Sequence, residues 1–85
     1  ILAISKDGRE YLVVELKKGK TSDTVVGQTL RYMGFVQKDL ATNGESVRGA
    51  IIALEDDLRL RNAISMVKNI DFYRYQINFK LNPID

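Results

Sequence analysis

The chain predicts an α/β domain: a mixed β-sheet with packed helices, in the order β-β-α-β-α-β. Three observations carry this expectation. Residues 1–5 and 10–17 are β-rich runs separated by Asp7-Gly8, a strong tight-turn dipeptide. Residues 47–54 are nearly continuously apolar, which suits a buried strand in a parallel ladder. Segments with helical spacing flank that strand, so it must be reached by a crossover packed on the sheet.

The elements follow in order. A two-residue loop at Asp7-Gly8 sets Lys6 against Arg9, Ile4 against Tyr11, Leu2 against Val13 and Ile1 against Val14. One further step would set the position preceding Ile1 opposite Glu15. Side chains alternate along a strand, so Glu15 and Lys17 share a face, and Leu16 is expected to point into the core. Residues 19–21 read as a loop. A helix should start near Ser22 or Asp23, both good N-caps, and run to about residue 41. Val26, Leu30, Met33, Val36 or Gln37, and Leu40 form its expected apolar stripe. Gly27 and Gly34 inside it suggest close backbone approach to the sheet or a ligand. Asn43 or Gly44 can take a left-handed conformation at its end.

The strand over residues 47–54 leads to Glu55-Asp56-Asp57, acids that favour the start of a second helix. Leu60, Ala63 or Ile64, and Val67 give its buried side. Residues 69–71 read as a break. Tyr73, Tyr75, Ile77, Phe79 and Leu81 then alternate with polar residues, predicting a last strand with those five on its covered face. Pro83 ends regular structure.

Composition narrows the chemistry. Eighty-five residues suit one small domain over the whole chain. The chain has neither cysteine nor histidine. That excludes disulfides, thiolate metal sites, Ser-His-Asp triads and the usual zinc sites. Hydrolytic chemistry would have to use carboxylates, lysine and a hard cation bound through oxygen. No apolar run approaches membrane-spanning length, and a cysteine-free chain fits a reducing compartment, so we expect a cytoplasmic protein without a membrane partner. The net charge of +2 is small, but Lys17, Lys18 and Lys20 cluster, as do Arg59 and Arg61. Two residues apart, those arginines cannot share a helix face, and one should pair with a nearby acid.

Glu15 and Lys17 are the leading candidates for chemistry. A carboxylate and an ammonium side by side at a strand end can hold a divalent cation and steer a water beside it. Lys18 and Lys20 read as contacts to a phosphate backbone. Gln28 and Tyr32 are four apart, so they share a helix face with Arg31 beside them.

These residues occur in recognisable strings: Ile1-Leu2-Ala3, Asp7-Gly8, Val13-Val14-Glu15-Leu16-Lys17-Lys18-Gly19, and Gln28-Thr29-Leu30-Arg31-Tyr32-Met33-Gly34. Val47-Arg48-Gly49-Ala50-Ile51-Ile52-Ala53 and Asp57-Leu58-Arg59-Leu60-Arg61 follow. Together they resemble the PD-(D/E)XK nuclease superfamily, and within it the nuclease domain of NucS-type endonucleases. The resemblance implies a restriction-endonuclease-like core and magnesium- or manganese-dependent cleavage of DNA in repair or processing, within a homodimeric protein. It implies catalytic roles for Glu15, Lys17 and Gln28, with the metal held by Glu15 and the Leu16 backbone carbonyl. Lys18, Lys20, Arg31 and Tyr32 would contact DNA. The family pattern also needs an Asp one strand before the Glu-x-Lys, at the position the hairpin register sets against Glu15. On this reading the domain is incomplete at its N-terminus, and these 85 residues alone are expected to be a poor catalyst. A nuclease-like module that holds DNA or a protein without cleaving is the alternative, and an acid or an apolar residue before Ile1 separates the two.

Overall fold

The computed structural model describes residues 1–17, 23–76, 78 and 80–84. It is a small α/β domain with a mixed four-stranded sheet and two helices. The strands are β1 (Leu2–Ile4), β2 (Glu10–Lys17), β3 (Ser46–Ala53) and β4 (Ile70–Arg74), and the helices are α1 (Thr24–Asp39) and α2 (Leu58–Ser65). The sheet order is β1-β2-β3-β4, with β1 antiparallel to β2 and the other two pairings parallel. No helix is long and apolar enough to cross a membrane.

The hairpin has the expected register, with Leu2 opposite Val13 and Ile4 opposite Tyr11. Ile1 and Val14 exchange backbone hydrogen bonds of 3.0 and 2.8 Å. The turn itself differs from a two-residue loop. A primed turn needs positive φ at both central residues. Among the described residues Gly8 has φ +71, but Asp7 does not share that conformation. Instead the Gly8 N–H donates to the Ser5 carbonyl, and Ser5 N–H to the Glu10 carbonyl, closing a longer loop. Its brace is polar. The Asp7 carboxylate accepts from the Ser5 hydroxyl at 2.6 Å and from the Arg9 N–H at 3.0 Å, while Glu10 N–H donates to the Ser5 hydroxyl.

Those donors, Ser5 first and then Arg9, hold the Asp7 carboxyl below the usual carboxylate range. A depressed folded-state pKa adds stability above the unfolded value, and that stability is lost as pH falls through the folded value. Asp7→Ala is therefore expected to lower stability at pH 6, and the gap should close below about pH 3. Denaturant melts of both proteins across pH 2–7 test this; a gap independent of pH would contradict it.

One core lies between the two helices and one sheet face. It contains Val13 of β2, Val47 and Ile51 of β3, Ile70 of β4, Val25, Val26, Met33 and Val36 of α1, and Leu60 and Ile64 of α2. Ile51 and Leu60 are fully enclosed. The α1 stripe is rotated from the expected one: Thr29 is buried, donating its hydroxyl to the Val25 carbonyl, while Leu30 and Leu40 are exposed. The apolar side chains at 30 and 40 lie off the line that meets the sheet. Asp23 occupies the N-cap position of α1, but its side chain makes no cap hydrogen bond. Ser22 lies outside the described residues. Gly44, with φ +84, serves the turn into β3 rather than a helix cap, since α1 already ends at Leu40 with N–H groups bonded to the Val36 carbonyl. Asp57 does cap α2, accepting from the N–H groups of Arg59 and Leu60.

Three further expectations change. Leu16 does not enter the core; it is 51% exposed on the sheet face away from the helices. Strand β4 begins at Ile70, where a break was expected, because Asn69 takes a left-handed φ of 69° and turns the chain directly into the ladder. Ile70 and Phe72 then face the helices, so Tyr73 and Tyr75 fall on the open face, both about half exposed. Beyond Arg74, residues 75, 76, 78 and 80–84 are not strand, and Ile77 and Phe79 lie outside the described residues.

Close approach occurs at a different glycine from those expected. A Cβ on Gly34 would meet nothing within 4 Å, and on Gly27 only the Arg31 guanidinium at 4.0 Å. On Gly49 it would lie 2.8 Å from Met33 Sδ, 3.0 Å from Thr29 Cγ2 and 3.2 Å from Ile70 Cγ1. Gly49 lets α1 seat directly on β3. Gly49→Ala should overpack this contact and cost about 1–3 kcal/mol. Urea unfolding measures it, and unchanged stability would show that the helix can lift without penalty.

Candidate active site

Glu15 lies two residues beyond the core residue Val13, on the helix-covered face of β2, opposite Ile51 of β3. It is half-buried because α1 crosses beside it. On α1, Gln28, Arg31, Tyr32 and Phe35 are spaced i, i+3, i+4 and i+7, so they form one stripe. That stripe lies about a quarter turn around the helix from the buried one. The two elements therefore converge: Glu15, Gln28, Arg31, Tyr32 and Phe35 line a single cleft of about 580 Å³. A neighbouring groove of about 350 Å³ shares Glu15, Tyr32 and Phe35 and adds Ile1, Leu2, Val13 and Val36. The cleft is charged at one end and apolar at the other.

Among the described residues the ion pairs are Arg48–Asp71 at 2.8 Å and Arg61–Asp56 at 3.0 Å. The second gives Arg61 the acidic partner expected for one of the two arginines. Both are half exposed and contribute little to stability. Neither involves Glu15 or Arg31, whose charges both face the cleft.

Four sequence candidates, Glu15, Gln28, Arg31 and Tyr32, thus meet in one place although they come from two elements. Lys17 shares the strand face of Glu15 by alternation and pairs with Ala53. It lines a separate cleft of about 420 Å³ with Leu16, Leu54 and Tyr75, rather than the Glu15 cleft. Lys18 and Lys20 lie outside the described residues. Phe35 was not among the candidates. Its spacing, three residues after Tyr32 and seven after Gln28, is the signal that marks it.

The donors available to a cation are oxygens: the Glu15 carboxylate and the Gln28 amide in the cleft, and the Leu16 carbonyl next along β2. This suits magnesium or manganese, which take one or two protein carboxylates and keep water or phosphate oxygens in the remaining positions. Among the described residues no three acidic side chains gather, so a cage built wholly from protein ligands is not formed here. Compared with protein-family models, curated proteins and solved structures, the chain matches none of them.

Proposed function

We propose that this chain is a metal-dependent DNA endonuclease domain with a restriction-endonuclease-like core, serving DNA repair or processing. The observation that carries the reading is the convergence of Glu15 on β2 with Gln28, Arg31 and Tyr32 on α1 in one cleft. Each was singled out in the sequence for a role in that chemistry, and the fold gathers them across a crossover.

In this reading Glu15 anchors magnesium or manganese, with the Leu16 carbonyl and Gln28 completing the protein's share. A bound divalent cation supplies a polarised scissile phosphate and a water of lowered pKa. Gln28 orients that water through its amide. Arg31 neutralises a phosphate oxygen and fixes the strand. Lys17, two residues beyond Glu15, offers an ammonium to charge developing on phosphate. Lys18 and Lys20 extend the basic track along the DNA backbone, and a second carboxylate would come from the position set against Glu15.

The test is magnesium-dependent nicking of plasmid DNA by the native protein, abolished by chelation and restored by magnesium or manganese. Lys17→Ala should lower turnover at least about tenfold more than Lys18→Ala, which should chiefly weaken affinity and its salt dependence. Equal losses of turnover would remove Lys17 from the chemistry. The single carboxylate in the cleft favours a second reading, a DNA-holding module without cleavage. Salt-dependent DNA binding with no nicking in either metal would select it.

A further inference from the structure

Resting on the nuclease reading above, we propose that the Glu15 cleft receives an unpaired nucleotide, its base stacked on Phe35 and its phosphate held by Arg31. The substrate class is then DNA with a single-stranded portion rather than a continuous duplex.

Two aromatic rings are presented where a small domain would normally bury them. Phe35 is 57% exposed and Tyr32 58% exposed, and both wall the cleft beside Glu15. Phenylalanine has no polar group to place in water, so its exposure there is not explained by hydrogen bonding. The cleft is divided in the way a nucleotide is divided. Its apolar end, with Ile1, Leu2 and Val36, suits the flat face of a base. Its polar end, with Glu15, Gln28 and Arg31, suits phosphate and a cation.

Spacing agrees with that division. Arg31 and Phe35 are four residues apart on α1, one turn, or about 6 Å along the axis. That is the scale of the distance between a base and its own phosphate. The groove beside Phe35, at about 350 Å³, has room for a base. Size also separates substrates. Bases in a duplex are stacked on each other and offer no face to a side chain on a helix. An unpaired base does, and stacking on an aromatic ring tolerates any sequence. The guanidinium adds the sequence-independent phosphate contact.

The chain contains no tryptophan, so Phe35→Trp introduces a single indole at the proposed stacking position. The native protein carrying this change should be titrated in EDTA with a 12-nucleotide single strand and with a blunt duplex of the same sequence. The single strand should quench the indole, and the duplex should leave it nearly unchanged. Phe35→Ala should weaken single-strand binding by roughly 5- to 100-fold with duplex affinity altered less than about twofold. Phe35→Tyr should restore most of it, which a merely structural role at this exposed site would not require. Arg31→Ala should weaken both and reduce the salt slope by about one.

Bound single strand without quenching overturns the proposal, as does equal quenching by duplex. Failure of any DNA to bind also overturns it, leaving the exposed rings to a protein partner. The nuclease reading is scored separately on magnesium-dependent nicking by the unsubstituted protein. Nicking without quenching keeps the nuclease and removes the stacked base; quenching without nicking does the reverse.

Discussion

Glu15→Gln is expected to lower magnesium-dependent cleavage by about 10³-fold or more while the protein stays folded and still binds DNA. The substitution keeps the size of the side chain and removes its charge. Glu15 makes no ion pair among the described residues, so its carboxylate is not a brace for the fold. It is half-buried beside Ile51 and α1, and it is the carboxylate that the cleft shares with Gln28 and Arg31. An amide coordinates a hard cation far more weakly than a carboxylate does. A thousandfold loss corresponds to about 4 kcal/mol of transition-state stabilisation. Loss of a negative charge next to phosphate should leave DNA affinity unchanged or slightly raised. Nicking rates, binding isotherms in EDTA and thermal melts separate the three effects. Activity within about tenfold of the native enzyme would take Glu15 out of the site.

Ile51→Ala carries the second large effect, this time on stability. Ile51 has no solvent exposure and sits in the middle of β3, between Glu15 of β2 and Phe72 of β4. It belongs to the core cluster shared by both helices. Removing its outer carbons loses their transfer free energy and leaves a cavity that strands paired on both sides cannot readily close. The expected cost is about 2–5 kcal/mol. For a domain of this size that is a fall in Tm of roughly 10–30 °C. Ile51→Val should cost only about 0.5–1.5 kcal/mol. Leu54→Ala, at a position 46% exposed, should cost less than Ile51→Ala because less surface is returned to water. A loss below about 1 kcal/mol for Ile51→Ala would mean that the core collapses around the gap. Because Ile51 lies opposite Glu15, partial loosening should also reduce cleavage before the domain melts.

Local chemistry accounts for what was legible in advance. The hairpin register followed from counting across Asp7-Gly8, and it held although the turn is of another kind, because the longer loop closes on the same Ser5–Glu10 pair. The α2 cap followed from Asp57 preceding an apolar run. The parallel β3 followed from a run too apolar for a one-sided strand. The convergence of Gln28, Arg31 and Tyr32 was readable as helical spacing, since neighbours on a helix surface are fixed by 3.6 residues per turn.

What only the tertiary structure decided is which side of each element is covered. Alternation in β2 and β4 separates two sets of residues, but not which set meets a helix. Leu16, Tyr73 and Tyr75 are as apolar as Val13 or Phe72, and they lie on the open face because α1 and α2 pack on the other one. The same holds for glycine. Gly27, Gly34 and Gly49 are alike in composition, and Gly49 alone of the three sits where a helix presses on the sheet. Phe35 and Lys17 show it at the site: one helix turn brings Phe35 to Glu15, and the end of β2 carries Lys17 into a different cleft. Periodicity along a chain records rotation about an element's own axis; the direction from which the next layer arrives is set by packing between elements distant in sequence.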